Sequence, residues 1–154
     1  MTDELIVGID FGTTNSSISF WNPKKKSIEN IKDGLKNRIP SKILFDQENT
    51  YFGNYIPLIH SSDNQKSKRL IHSFKRLINT SEETSFTKSL SYPVKLKDNK
   101  WTINLPEKSY QLEEVLILFI AHLKKIITKY LKCSTIKAVI TVPAYFNDNQ
   151  RQAT

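Results

Sequence analysis

The sequence predicts an α/β fold, and three observations carry that prediction. Short β-branched runs open the chain, one long amphipathic helix lies late in it, and a further apolar strand follows that helix. Leu5-Ile6-Val7-Gly8-Ile9-Asp10 is a compact apolar run and reads as a buried strand. Phe11-Gly12-Thr13-Thr14-Asn15 is turn-like. Ser16 to Trp21 then alternates, with Ile18 and Phe20 on one face, until Asn22-Pro23 breaks it. Ser27 to Ile31 supplies a third strand. The opening is therefore a β-meander with a tight, polar first turn.

Arg38 to Phe45 is another extended segment, and Asn49 to Tyr55 holds a strand signal around Tyr51-Phe52, punctuated by Gly53. Residues 61–68 are polar and read as loop. From Lys68 to Ile78, apolar Leu70, Ile71, Phe74, Leu77 and Ile78 recur at helical spacing. The Ser/Thr/Glu-rich stretch 79–91 reads as a connection. Tyr92 to Leu96 and Lys100 to Leu105 form a hairpin pattern with Asp98-Asn99 at its turn. The strongest helix runs from Tyr110 to Lys132: Leu112, Val115, Leu116, Phe119, Leu123, Ile126, Ile127 and Tyr130 make one stripe, read as a packing face. Glu113 and Glu114 in its first turn, with Lys129 and Lys132 in its last, suit the helix dipole. Ile136 to Val142 reads as a buried strand ended by Pro143. Asn147 to Thr154 opens a helix with Asn147 or Asp148 as N-cap. A helix of one or two turns is marginal by itself, so the sequence is expected to be a piece of a longer protein.

Composition narrows the function classes. The 154 residues are 38% apolar and 25% charged, ordinary for a globular domain. No stretch approaches the roughly 20 apolar residues that span a bilayer, and Met1-Thr2-Asp3-Glu4 begins acidic, unlike a signal peptide. The expected location is the cytoplasm, with an organellar matrix as the alternative. Cys133 is the sole cysteine, so no internal disulfide or cysteine-based metal site forms within the chain; it reads as packed. His60, His72 and His122 have no metal-ligand spacing and read as incidental. The net charge of +8 comes from 23 basic and 15 acidic residues, mostly scattered lysines. Lys24-Lys25-Lys26 reads as a solvated turn, and no nucleic-acid or membrane partner is expected.

The chemistry concentrates in Asp10-Phe11-Gly12-Thr13-Thr14-Asn15. A carboxylate ends a strand, a glycine permits close backbone approach, and two hydroxyls and an amide follow. Such a turn can cradle phosphate oxygens while the carboxylate holds a hydrated Mg²⁺. No Walker-type Gly-x-x-x-x-Gly-Lys sequence is present. Taken alone, a Gly-Thr-Thr turn is more often a plain hairpin.

The company of this turn changes that weighing. Ile9 to Ser16 closely resembles the first phosphate motif of the 70-kDa heat-shock chaperone family, within the actin/hexokinase-like ATPase superfamily. Ala138-Val139-Ile140-Thr141-Val142-Pro143-Ala144-Tyr145-Phe146-Asn147-Asp148-Asn149-Gln150-Arg151-Gln152-Ala153-Thr154 resembles a second signature of that family nearly letter for letter. Phe74-Lys75-Arg76-Leu77-Ile78 resembles its lysine motif, and Pro40-Ser41 and Tyr92-Pro93-Val94-Lys95 resemble further segments in order. Asn79-Thr80 stand where the family usually has Gly-Arg.

The resemblance implies an actin-like (ribonuclease H-like) ATPase fold, first lobe only, with a mixed sheet: the meander plus the strand at 136–142, added through the long helix. Residues 1–38 and 110–154 would form an incomplete lower subdomain, and 39–109 an inserted upper one. Gly12, Thr13, Thr14, Asn15 and Lys75 would bind ATP, and Asp10 would hold Mg²⁺ through water. Lys75, Asp10 and Thr13 would serve catalysis; Pro143 and Arg151 would couple nucleotide state to another domain. Lys68 is a rival to Lys75, since Lys-Arg-Leu-Ile occurs at 68–71 and again at 75–78. The implied full-length protein is an ATP-dependent chaperone for unfolded client polypeptides, served by a J-domain co-chaperone and a nucleotide-exchange factor, with ATP/ADP and Mg as ligands. The 154-residue chain alone is expected to be inactive. The alternatives are a small-molecule kinase of the same superfamily and a non-enzymatic truncated remnant.

Overall fold

The computed structural model describes residues 5–47, 49–57, 63–133, 136–144 and 146–154. The acidic start Met1–Glu4, His60, and Tyr145 of the second signature lie outside the described residues. In chain order the elements are β1 (Ile6–Phe11), β2 (Asn15–Asn22), β3 (Ser27–Asn30), β4 (Ile39–Pro40), β5 (Lys42–Phe45), β6 (Thr50–Phe52), α1 (Asn64–Arg69), β7 (Leu70–His72), α2 (Ser85–Lys88), β8 (Val94–Lys97), β9 (Lys100–Asn104), β10 (Ser109–Gln111), α3 (Leu112–Leu131), β11 (Lys137–Ile140) and α4 (Asp148–Ala153).

The first sheet is mixed. Its order is β11-β1-β2-β3, with β4 also paired to β2. β1 and β2 run antiparallel, setting Val7 opposite Phe20, Ile9 opposite Ile18 and Phe11 opposite Ser16. β11 lies parallel to β1, a pairing that needs a long crossover and receives one that includes α3. Two smaller antiparallel sheets, β6-β5-β7 and β10-β9-β8, are built from residues between Lys42 and Gln111. The β8–β9 hairpin turns on Asp98 and Asn99, both at positive φ (51° and 59°). That is the backbone a two-residue hairpin demands, and these residue types tolerate it.

Side-chain alternation along β1 decides what faces what. Val7, Ile9 and Phe11 are buried in one apolar cluster with Val115, Phe119, Leu123 and Ile127 of α3. Ile6, Gly8 and Asp10 take the opposite face. On that face Val139 lies beside Gly8 and Trp21 beside Ile28. Ile6, Trp21, Ile28 and Val139 are 57%, 56%, 74% and 63% exposed. The β1–β2 turn therefore sits at the end of a sheet packed on one side against α3 and, among the described residues, exposed on the other at Ile6, Trp21, Ile28 and Val139.

The start of α3 is capped by a reciprocal pair, Gln111 at the N-cap and Glu114 three residues on. Its C-cap, Lys132, has a φ of 53°, so Lys132 ends the helix instead of completing its last turn. Tyr110 belongs to β10. The predicted stripe is buried at Leu112, Val115, Leu116, Phe119, Leu123 and Ile127 and half-buried at Ile126, but Tyr130 is 44% exposed and meets Phe20 edge-on at the rim.

Several expectations are corrected. The periodic run 68–78 is not one helix: β7 ends at His72, Ser73 adopts a left-handed φ of 55°, and a 3₁₀ turn follows over Phe74–Asn79. Its apolar residues bury themselves from two different elements, which mimics helical spacing. Part of the stretch read as loop before it is helical, as α1, with the Asp63 side chain capping Lys66 N–H. The connection 79–91 contains the one-turn α2, capped by Thr84 and Thr87. The strand read as buried over 136–142 is β11, and Lys137, Ala138 and Val139 on it are exposed, because it is the outer strand of the first sheet. Asn147 is the N-cap of α4, and Lys24, Lys25 and Lys26 are solvated as expected.

His72 and His122 give the fold a pH dependence. Burial lowers both imidazole pKa values below the ordinary 6.5, chiefly by desolvation, with Lys42 adding to the effect at His72 and Lys125 at His122, where Asp33 opposes it. The unfolded chain then binds more protons in this range, so stability is fully present above about pH 6.5 and is lost as pH falls through the folded-state values. A urea midpoint measured from pH 7 to pH 5 should fall. In a His72→Gln/His122→Gln double variant that part of the fall should disappear.

Candidate functional site

The turn between β1 and β2 is held from behind by β4. Asn15 pairs with Pro40 and Ser16 with Ile39. The Ser41 backbone N–H donates to the Thr14 carbonyl at 2.9 Å, and the Ser41 hydroxyl donates to the Gly12 carbonyl at 2.7 Å. The Ser16 and Ser41 hydroxyls are 2.9 Å apart and both buried. Gly12 is needed for a steric reason: a Cβ there would stand 2.2 Å from the Asn15 carbonyl oxygen. Gly12 and Thr13 are half-buried, while Thr14 and Asn15 are exposed.

Three rings bring Lys75 to this turn. Phe11, Phe74 and Phe119 pack mutually, with centroids 6.2, 5.8 and 5.6 Å apart. Phe11 immediately precedes Gly12, and Phe74 immediately precedes Lys75, so the aromatic cluster places both segments against α3. The left-handed Ser73 redirects the chain just before Lys75. A non-glycine residue in that region costs on the order of 1 kcal/mol, which surrounding structure must offset.

Lys75 is 4% exposed. Its ammonium donates to the Phe11 carbonyl and reaches the Thr141 carbonyl at 3.5 Å. It lies 4.5 Å from the Phe11 ring centroid and 5.9 Å from that of Phe146. Burial pushes the lysine pKa below the ordinary 10.5, and the nearby Asp10 carboxylate partly offsets this. Asp10 is exposed, and its Oδ1 accepts a 2.9 Å hydrogen bond from the Thr141 hydroxyl. The residue just after β11 thus orients the carboxylate of β1. Lys68 is exposed on α1 and lines a different groove, with Glu83, Thr87 and Tyr92.

Pro143 and Arg151 approach the same centre through Phe146. Phe146 is buried, its N–H donates to the Pro143 carbonyl at 3.0 Å, and its own carbonyl accepts from Arg151 Nε at 3.1 Å. Lys75, Phe146, Pro143 and Arg151 therefore form one contiguous set. Sequence reading placed Ser41 only within a motif and gave Ser16 and Thr141 no role. The signal for Ser41 was Pro40-Ser41 itself. Its partners lie 25 and 29 residues away, beyond any local pattern.

The donor set suits a hydrated cation. Among the described residues no three His, Cys, Asp or Glu side chains gather, so no all-protein metal cage is present among them. A single carboxylate oriented by Thr141 suits Mg²⁺, which keeps most of its waters. A cavity of about 650 Å³ lies elsewhere, between the 32–34 loop, β6 and α3, and includes none of these residues.

Comparison with known proteins places the chain. The family model described as "Hsp70 protein" matches residues 6–154. The "Chaperone protein DnaK" of Ureaplasma urealyticum serovar 10 is 33% identical over 159 aligned positions, covering 100% of this chain and 22% of the relative. The "Chaperone protein HscA homolog" of Rickettsia prowazekii is 37% identical, covering 96% of this chain and 23% of the relative. The chain thus spans less than a quarter of these relatives' length. With the match running through both signature motifs and the lysine turn between them, the chain belongs to the Hsp70 family.

Proposed function

We propose that this chain supplies the phosphate-gripping half of an ATP site, and that a protein of its relatives' length hydrolyses ATP there to control binding of unfolded client polypeptides. The observation that supports this most is the convergence of Lys75 and Thr141, from two separate segments of the chain, on the contiguous string Asp10–Asn15. Family membership carries the actin-like ATPase fold, and the mixed sheet accords with it. We assign residues 1–38 and 110–154 to the lower subdomain of the first lobe and 39–109 to an inserted upper one. Both small sheets lie within Lys42–Gln111, near that division, with β10 (Ser109–Gln111) crossing its second boundary and β4 (Ile39–Pro40) pairing with the first sheet.

In this reading the residues have distinct tasks. The turn amides and the Thr13 and Thr14 hydroxyls bind β- and γ-phosphate oxygens. Asp10, oriented by Thr141, would hold Mg²⁺ through water. Lys75 brings a desolvated positive charge to where phosphoryl transfer concentrates negative charge, and such preorganised charge is the main catalytic lever for this reaction. Mg²⁺, held through Asp10, would supply charge neutralisation to the phosphates. Pro143 and Arg151 report the state of the Lys75 site through Phe146. A J-domain co-chaperone and a nucleotide-exchange factor complete the cycle. The exposed face bearing Ile6, Trp21, Ile28 and Val139 supports the view that the isolated chain lacks covering structure and has no ATPase turnover.

The test is Mg-dependent ATP binding to the full-length protein. Asp10→Asn should weaken ATP affinity at least about tenfold, equivalent to about 1.4 kcal/mol, and should abolish the Mg dependence. Affinity unchanged by the substitution, or independent of Mg in the wild type, would contradict the assignment.

A further inference from the structure

The back of the phosphate turn is held by a residue with no assigned role. Ser41 touches the turn twice. Its side-chain hydroxyl donates to the Gly12 carbonyl, and its backbone N–H donates to the Thr14 carbonyl. Since the hydroxyl has one proton and gives it to Gly12, the 2.9 Å contact with Ser16 requires Ser16 to be the donor there. The result is a one-way chain, Ser16 O–H to Ser41 O–H to Gly12 carbonyl, in which each bond polarises the next. Ser16 and Ser41 are 1% and 2% exposed, so water does not compete for these groups.

Peptide planarity turns this into a statement about the front of the turn. Every described peptide is trans, so a carbonyl and the following N–H point in opposite directions. Holding the Gly12 and Thr14 carbonyls on Ser41 therefore fixes the N–H groups of Thr13 and Asn15 pointing away from it. These are alternate donors of the same turn, aimed outward from the buried serine pair. Without Ser41 the Gly12 peptide would be free to rotate, and the Thr13 N–H with it.

We propose that Ser41 is a positioning residue: by fixing two carbonyls from behind, it preorganises the Thr13 and Asn15 amides as donors to phosphate oxygens. This rests on the phosphate reading of the turn given above. Ser41 touches no phosphate itself; its effect passes through the backbone of Gly12 and Thr14.

The experiment is Mg-ADP binding to the full-length protein, wild type against Ser41→Ala, Ser41→Thr and Ser16→Ala, with the ¹⁵N amide resonances of Thr13 and Asn15 followed alongside. Ser41→Ala removes the hydroxyl contact to Gly12 and keeps the backbone N–H contact to Thr14, so it should weaken Mg-ADP about tenfold, shrink the ligand-induced shift of the Thr13 amide and speed its hydrogen exchange in the free protein, with Asn15 close to wild type. Ser41→Thr keeps the hydroxyl and should restore most of the affinity. Ser16→Ala, which removes only the remote donor, should cost about two- to fivefold and keeps the test alive if Ser41→Ala misfolds. Wild-type affinity in both alanine variants, with Asp10→Asn still defective, would overturn the role of Ser41 and leave the phosphate site standing. Absence of any shift at Thr13 and Asn15 in the wild type on saturation with Mg-ADP would overturn the phosphate reading itself. A folded Ser41→Thr variant as defective as Ser41→Ala would show that the hydroxyl does not act as a positioning donor.

Discussion

Gly12→Ala should disrupt the turn and with it nucleotide binding. The new methyl would stand 2.2 Å from the Asn15 carbonyl oxygen, and that oxygen is backbone, so no side-chain rotation relieves the contact. The strand ends have little room to move, because Phe11 is locked in the aromatic cluster and Ser16 is tied to Phe11 and Ile39. Overpacking of this kind costs about 1–3 kcal/mol of stability, measurable by urea unfolding. The same shift would rotate the Thr13 amide, so Mg-ATP affinity of the full-length protein should drop at least about tenfold. Gly34→Ala is the control. Gly34 has a φ of 65°, and no atom lies within 4 Å of the point its new methyl would occupy. It should cost about 1 kcal/mol through backbone strain, with nucleotide affinity unchanged.

The second large effect is at Lys75. Lys75→Met in the full-length protein should lower single-turnover hydrolysis about 100- to 1,000-fold, the range for removing one preorganised charge-stabilising group. Affinity for Mg-ATP should stay within about threefold, since the charge matters most in the transition state. Stability should move the other way. Burial holds the folded-state lysine pKa below 10.5, so the unfolded chain binds more protons in that window. Stability therefore rises with pH up to about 10.5, and at neutral pH the charged lysine is a net cost. Lys75→Met should be more stable than the wild type at pH 7 and should lose this part of the alkaline rise. Loss of activity with gain of stability is the mark of a group kept for function. Lys68→Ala, on the exposed face of α1, should leave hydrolysis intact.

The contrast between Lys68 and Lys75 shows what the sequence can and cannot reveal. The two begin identical tetrapeptides, so the sequence separates them only by the preceding Phe74 and the fit of Tyr92-Pro93 to the family spacing; the fold gives Phe74 its meaning by tying it to Phe11 and Phe119. β1, β2, α3 and the Asn147 cap were legible because each is specified by its own residues: β-branched alternation, a long apolar stripe, and a side chain that bonds the next turn. The run 68–78 misled because a left-handed Ser73 joins two short elements whose buried residues happen to fall at helical intervals. The exposure of β11 was illegible for another reason. An apolar strand has the same composition whether or not anything covers it, and burial here depends on neighbours in the sheet.

The site divides along the same line. Asp10, Gly12 and the two threonines form a compact string whose chemistry reads directly as a carboxylate beside a backbone-rich turn. Thr141 is 131 residues from Asp10, and Ser41 is 29 from Gly12. Their importance exists only once β11 lies against β1 and β4 against β2. The residues of the turn itself were thus visible in sequence, and the groups holding it in place were not.

The most direct measurement is a crystal structure of the full-length protein with Mg²⁺ and ADP. Phosphate oxygens should lie about 3 Å from the Thr13 and Asn15 amides, with a metal-bound water on Asp10 and the Lys75 ammonium turned to the vacated γ-phosphate position. A nucleotide bound elsewhere, with Asp10, Thr13 and Thr14 facing solvent and Lys75 unchanged, would contradict the assignment of this turn to phosphate.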